Sequence, residues 1–322
     1  MEPTDDIPIP LHLYTVEQLL GAWTVDKPLS YAASLDARTF SAAVRVGLRT
    51  PISGGIARQR ALHDHGITRA LDAAIVDRPV VAFMGGHALE RGSASYVLVA
   101  QIASRLASLN LLVVTGGGPG AMEAAHLGAR LAKSPPGDLA DAVAILSRQA
   151  AFPKYKLNEF VHPDGTFDHD ILARLHAWQV PAFEVADAWP EGPVISSIGV
   201  PTWLYGHEPP TPLASAHAKY FENSLREDGL LAIAKAGVIF AEGKAGTLQE
   251  VFQDAAQNYY STVDDSRSPM VFLDVDEFWS VRRPVRLLLE GLFDDEAEKL
   301  LHFVTTVDGA VTAITGEEPR RI

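Results

Sequence analysis

Hydrophobic positions in this chain fall into short solid blocks, and these alternate with stretches whose apolar residues recur every three or four positions. Val80 to Met84 is one block, with Pro79 before it and Gly85-Gly86 after it. Leu111 to Val114, Val238 to Phe240 and Met270 to Leu273 are others. Short runs that are apolar at every position and bounded by turn residues predict strands buried on both faces of a parallel sheet. After Gly92 and Ser93, the residues Val99, Ile102, Ala103 and Leu106 stand at i, i+3, i+4 and i+7, the spacing of one helix face. Ala121 to Leu131 reads as a second helix of strong helix formers. Strand, helix, strand, helix predicts an α/β fold: a Rossmann-like, doubly wound parallel sheet.

The rest of the chain is read against that pattern. Residues 1–75 form a helical accessory segment, with helical periodicity over Val16 to Trp23, Thr39 to Leu48 and Ala57 to Ala74. Residues 76–322 form the Rossmann-like domain. Prolines punctuate residues 133–193, and Leu139 to Arg148 and His169 to Trp178 look helical there. This segment predicts a helical insertion covering one edge of the site. Strand pattern resumes over Val194 to Leu204, followed by the proline-rigidified loop YGHEPPTPLA. Helices are expected over 213–235, over Thr247 to Tyr260, and over most of 276–292 despite Pro284. His302 to Thr305 predicts an edge strand, and Asp308 to Ile314 a last helix.

Composition narrows the class. The chain has 322 residues, 47% of them hydrophobic, enough for one large core with additions or for two domains. With 27 Lys plus Arg against 40 Asp plus Glu, its formal charge is -13, which argues against nucleic acid as a partner. The absence of cysteine excludes disulfides, thiolate metal sites and a cysteine nucleophile. The N-terminal MEPTDDIPIP lacks the pattern of a signal peptide, and no apolar run approaches membrane-spanning length. A cytoplasmic protein with no membrane partner is the expectation.

The chemistry concentrates in the turns. The first strand ends in Gly85 and Gly86. The second runs into Thr115, Gly116, Gly117, Gly118, Pro119 and Gly120 before the Ala121 helix. A third turn, AEGKAGTLQE, carries Gly243, Gly246 and Thr247 into another helix. Glycines let backbone approach a ligand closely, and a helix start offers N–H groups and a positive dipole end to an anion, most simply a phosphate. The spacing is neither the dinucleotide fingerprint nor the P-loop. Glu250 stands three residues after Thr247, one turn into the helix and toward the loop's ligand. T-x-x-E is also the spacing of a capping box, and spacing alone favours the cap. His63 and His65 are spaced like a metal pair, but no third ligand stands nearby, and an ordinary polar turn is the plainer reading. Lys154 and Lys156 could meet an anion, though solvated surface lysines are the plainer reading.

GGGPGAMEAAHLGA beside AEGKAGTLQE resembles the paired motifs of the "Lonely guy" phosphoribohydrolases. The segment EPPTP, with the helix after it, looks closer still to the pyrimidine/purine nucleotide 5'-monophosphate nucleosidases of the same superfamily. The resemblance covers roughly Val80 to Met122 and Val194 to Leu273. It implies hydrolysis of the N-glycosidic bond of nucleoside 5'-monophosphates to free base and ribose 5-phosphate, by a homodimer or larger homo-oligomer. It matches the motif glutamate to Glu250 and the helix arginine to Arg226, both as catalytic residues. Gly85, Gly86, Gly116, Gly117, Gly118, Gly120, Met122, Glu123, Glu208, Gly243, Gly246 and Thr247 are then the substrate- and phosphate-binding set. The family's Pro-Gly-Gly is replaced here by Ala241, Glu242, Gly243 and Lys244, one residue longer.

Cleavage of a ribosyl C–N bond develops oxocarbenium character. A carboxylate beside the ribose stabilises that charge, or orients and deprotonates water. An arginine holds phosphate or hydroxyls but is a poor proton donor. The leaving base therefore needs another donor or solvent; His207 and Glu208 are candidates, although loop capping and surface exposure are the plainer reading of both. The reaction requires no metal and no cofactor. The competing expectation is a non-catalytic nucleotide-binding or sensing protein using the same pocket, or a molybdenum-cofactor carrier, which resembles the same fold.

Overall fold

The computed structural model describes residues 9–48, 52–204, 208–260, 267–293 and 297–316. The chain opens with three helices, α1 (Val16–Leu20), α2 (Leu35–Val46) and α3 (Gly54–Ile75). Ser34 and Ser53 cap α2 and α3 by accepting the N–H of Ala37 and Ile56. There follow β1 (Val80–Met84), α4 (Ala94–Ser108), β2 (Leu112–Thr115) and α5 (Ala121–Arg130). The inserted region holds α6 (Asp138–Leu146), α7 (Leu157–Phe160) and α8 (His169–Ala188). Then come β3 (Ser197–Gly199), β4 (Ala216–His217), α9 (Asn223–Ile233), β5 (Gly237–Phe240) and α10 (Ala245–Tyr260). The chain finishes through β6 (Met270–Leu273), α11 (Arg286–Phe293), α12 (Ala297–Leu300), β7 (Leu301–Val304) and α13 (Val307–Thr315).

The strands form one seven-stranded parallel sheet in the order β4-β3-β2-β1-β5-β6-β7. All five residues of β1 are buried, and they divide by the period of two. Val80, Ala82 and Met84 enter a core shared with Leu71, Leu231 and Val251, from α3, α9 and α10. Val81 and Phe83 enter the opposite core with Ala103, Leu127 and Val311, from α4, α5 and α13. Helices cover both faces, as the solid apolar blocks predict. Each large apolar side chain so buried contributes about 1.5–3 kcal/mol. A third core joins the two ends of the additions: Leu19, Leu20 and Phe40 pack with Phe160, Leu172 and Trp178. The accessory segment therefore splits, with α3 on the sheet and α1 and α2 on the insertion.

Several expected elements come out differently. The strand expected over Val194 to Leu204 is confined to Ser197–Gly199. The helix expected over 213–235 starts only at Asn223, because Ala216–His217 is extended and forms the sheet edge. Its helix formers are overridden by pairing: the His217 N–H donates to the Tyr14 carbonyl at 2.8 Å, and the Tyr14 N–H to that of His217 at 2.9 Å. The expected helix over 276–292 is broken, and α11 begins only after Pro284. Helix α8 instead runs on through a buried Pro181 to Ala188, ten residues past the expected end at Trp178. Helix α10 starts at Ala245, two residues before Thr247.

Candidate functional site

The chain leaves β1 toward β2 on one side and returns on the other side as β5, so the strand order reverses at β1. Such a switch point opens a crevice at the carboxyl ends of the strands. Three glycine-bearing turns meet there, and Gly86 ties them. Its N–H donates to the Glu242 carbonyl at 2.9 Å, and its carbonyl accepts the Ala121 N–H at 3.2 Å. Gly120, with φ of 71°, packs so closely that a Cβ would stand 2.4 Å from the Gly86 oxygen. Gly117 has φ of 77°, and its N–H is held by Thr115 Oγ1 at 2.8 Å.

The crevice is a cleft of about 320 Å³. Gly85, Gly86, Gly116, Met122, Glu208, Arg226, Gly246, Thr247 and Glu250 all line it, with His87, Glu227, Lys244 and Gln249. Sequence separation of up to 165 residues thus collapses into one wall, from Gly85 to Glu250. At its centre Arg226 Nη1 lies 3.8 Å from Glu250 Oε1, with side chains 16% and 18% exposed. The facing helices hold the pair: Gln249 Nε2 donates to Glu227 Oε2 at 2.9 Å, and Gln253 on α10 donates to Asp228 on α9. Arg226 Nε is buried without a hydrogen-bond acceptor, while Nη1 lies toward Glu250 and within 4.0 Å of where a Cβ on Gly116 would stand.

Burial raises the Glu250 carboxyl to about 7, against the lowering effect of Arg226 and with a smaller upward push from Glu227. One turn further along α10, burial raises Asp254 to about 8, and its Oδ2 has no hydrogen-bond partner. Because α10 begins at Ala245, Thr247 is its third residue and not its cap. The capping-box geometry open to T-x-x-E is absent, and Glu250 faces the cleft from the second turn. Thr247 is buried against Gly243, where a Cβ would lie 2.1 Å from its Oγ1.

Five residues of the expected binding set stand outside the cleft wall. Gly117, Gly118, Gly120 and Gly243 shape the turns behind it; a Cβ on Gly118 would lie 2.8 Å from Glu208 Oε2. Glu123 points the other way. It is fully buried and receives Arg91 Nε at 2.7 Å, Arg91 Nη2 at 2.6 Å and the Tyr96 hydroxyl at 3.0 Å. Arg91 also stacks 3.8 Å over the Trp178 ring, so Glu123 anchors α5 to the insertion rather than a substrate. Met122, one residue earlier and about 100° around the helix, faces the cleft.

A second cavity of about 470 Å³ adjoins the first, and His87, Ala88, Glu208 and Lys244 line both. Its far wall is the insertion, through Phe152, Tyr155 and Leu157. His87 Nδ1 lies 3.0 Å from Glu208 Oε1. That hydrogen bond holds His87 above the usual histidine range, with burial and Lys244 opposing it. Lys154 lines this cavity, whereas Lys156 pairs with Glu159 at 3.5 Å. His207 lies outside the described residues.

Comparison with solved structures finds distant likenesses. No family model matches the chain, and no curated protein does. The molybdenum cofactor carrier protein of Chlamydomonas reinhardtii matches with a TM-score of 0.42 and 14% identity, over 74% of this chain and 97% of its own. The molybdenum cofactor binding protein of Rippkaea orientalis matches with a TM-score of 0.41 and 13% identity, over 75% of this chain and 98% of its own. A likeness of this degree assigns the chain neither ligand nor activity.

Among the described residues no group of three His, Cys, Asp or Glu could hold a metal ion. No described helix is long and apolar enough to cross a membrane. His63 is buried: the Tyr14 hydroxyl meets its Nε2 at 2.8 Å, and its Nδ1 meets Asp64 Oδ1 at 2.9 Å. The sequence alone assigns no role to His87 or Asp254, and marks Glu227 only as a departure from the Arg-Lys pair of the resembled family. His87 had one signal, a polar residue directly after the Gly85-Gly86 turn. Asp254 had another, since it falls at i+4 from Glu250 on the same helix face.

Proposed function

We propose that the protein hydrolyses the N-glycosidic bond of nucleoside 5'-monophosphates, releasing free base and ribose 5-phosphate. The observation that carries this reading is the Arg226–Glu250 pair, 3.8 Å apart in a cleft walled by three glycine turns. The motif resemblance supports it independently. The phosphate sits at the start of α10, where free N–H groups, the helix dipole and Lys244 favour an anion. No atom stands within 4 Å of where a Cβ on Gly246 would be, so backbone approach there is open. Arg226 binds phosphate or ribose oxygens through its guanidinium, which lines the cleft. Glu250, once ionised, stabilises the ribosyl cation and takes a proton from the attacking water. The test is incubation with adenosine, guanosine, cytidine, uridine and inosine 5'-monophosphates, with released base and ribose 5-phosphate read by chromatography. Release of both supports hydrolysis; binding with no release supports the second reading.

That second reading is a carrier or sensor of a phosphorylated ligand. It is favoured by the AEGKAGT turn, whose additional residue and Glu242 depart from the hydrolase motif, and by the acidic Glu208 and Glu227 in the cleft wall. The molybdenum cofactor named for the distant structural neighbours is one such ligand. Equilibrium dialysis against that cofactor and against nucleotides separates the two.

A further inference from the structure

The catalytic pair and the glycine turns account for phosphate and ribose, but they leave unassigned where the base lies and what protonates it. The adjoining cavity differs from the cleft in character. Its insertion wall is aromatic and aliphatic, with Phe152 set edge-on to Trp178 at 5.0 Å and 5.9 Å from Tyr155 between ring centroids. An apolar, ring-lined wall next to a polar, glycine-rich one divides the joined space as a nucleotide is divided. The boundary between the two is His87, bonded through Nδ1 to Glu208 and leaving Nε2 for a ligand.

We propose that this adjoining cavity is the base subsite, and that His87, oriented by Glu208, delivers the proton to the departing base. The inference rests on the hydrolase reading above. In the step, the C1'–N bond breaks and its electron pair goes to the base nitrogen. The proton on His87 Nε2 moves to the base, on a ring nitrogen or an exocyclic oxygen. Water adds to C1', and its proton passes to the Glu250 carboxylate. Exchange with solvent then returns a proton to His87 and removes one from Glu250. The charged and titratable groups that share the two cavities with His87 are Glu208 and Lys244 in both, Glu90, Lys154 and Tyr155 in the adjoining one, and Arg226, Glu227 and Glu250 in the cleft. Glu208 favours the imidazolium and Lys244 opposes it. Burial and the nearby Glu208 charge hold Tyr155 above the usual tyrosine range, which leaves it a neutral neighbour.

The test compares His87→Gln with wild type on two substrates. One is the nucleoside monophosphate turned over best. The other is 4-nitrophenyl ribofuranoside 5-phosphate, whose leaving group departs without a proton. Loss of a general acid should cost roughly a hundredfold or more on the nucleotide and little on the nitrophenyl compound. Equal losses on both compounds overturn the donor role alone. A wild-type protein that cleaves neither overturns the donor role and the hydrolase reading together. The base subsite is judged by calorimetry with adenosine 5'-monophosphate and ribose 5-phosphate. Phe152→Ala, and Phe152→Leu as a check on folding, should weaken the nucleotide by about tenfold while leaving ribose 5-phosphate unchanged. Equal effects on both ligands, or no effect on either, place the base elsewhere.

Discussion

Asp64 Oδ2, on α3, accepts the backbone N–H of Glu222 at 2.9 Å, and the neighbouring Phe221 N–H also points to this carboxylate, at 3.0 Å from Oδ1. Glu222 is the residue before α9, the helix that carries Arg226. A helix outside the motif-bearing region therefore fixes where the arginine helix begins. Asp64 is itself held by the buried His63, whose other ring nitrogen meets Tyr14.

Asp64→Ala leaves two backbone amides and His63 without their acceptor, at a cost of about 1–3 kcal/mol for each buried group left unpaired. Thermal melting should drop by several degrees. Base release per folded molecule should fall as well, because the start of α9 is released. A variant with unchanged melting would show that Asp64 does not anchor α9.

Asp254 predicts a pH dependence of stability. Burial raises it to about 8 in the folded protein from an ordinary value of 3.8. The folded state keeps a proton that the unfolded chain releases between those values. Its stability is therefore fully present below pH ~4 and is lost as pH rises through about 8. Glu250 acts in the same direction, up to about 7. Asp254→Asn should melt near wild type at pH 4 and above it at pH 9, by the equivalent of a few kcal/mol. A melting difference that does not change with pH contradicts this.

Glu123 separates structural from binding roles within the first motif. Glu123→Gln uncouples the buried pair with Arg91 and should cost on the order of 3–5 kcal/mol. Nucleotide affinity of the protein that remains folded should stay near wild type. A stable variant that has lost affinity would restore Glu123 to the binding set.

Much of the fold is visible in the sequence, since β1, β2, β5 and β6 are built on short solid apolar runs that end at turns. The cleft is less so. Met122 and Glu123 are adjacent in the motif, and only the helix start at Ala121 decides which one faces the cleft. The edge strand at Ala216–His217 is only two residues long; it pairs with β3 on one side and bridges on the other to Tyr14, about 200 residues away, so no local pattern reveals it. Phe152 and Tyr155 reach His87 only through the docking of the insertion, which follows from the third core.

Assembly is a further expectation. Phe252, Tyr259 and Tyr260 on α10 and Leu287, Leu288 and Leu292 on α11 are exposed large hydrophobics. Such residues fit a homo-oligomer interface near the helices that carry Arg226 and Glu250. Light scattering at micromolar concentration should give a dimer or larger, and Leu288→Asp with Tyr260→Asp should give a monomer. A monomeric wild-type protein contradicts the interface.

The central claim is that Glu250 acts on the ribosyl centre, and Glu250→Gln tests it most directly. The substitution keeps size and removes charge, and Glu250 caps no helix, so melting should stay within the equivalent of about 1 kcal/mol below pH 7. Nucleotide binding by calorimetry should persist. Single-turnover base release should fall by roughly a hundredfold or more. Wild-type release should decline as pH drops through about 7, where Glu250 takes up its proton, and the variant should lack that limb. A folded Glu250→Gln protein releasing base at near the wild-type rate, with the same pH profile, would contradict the account.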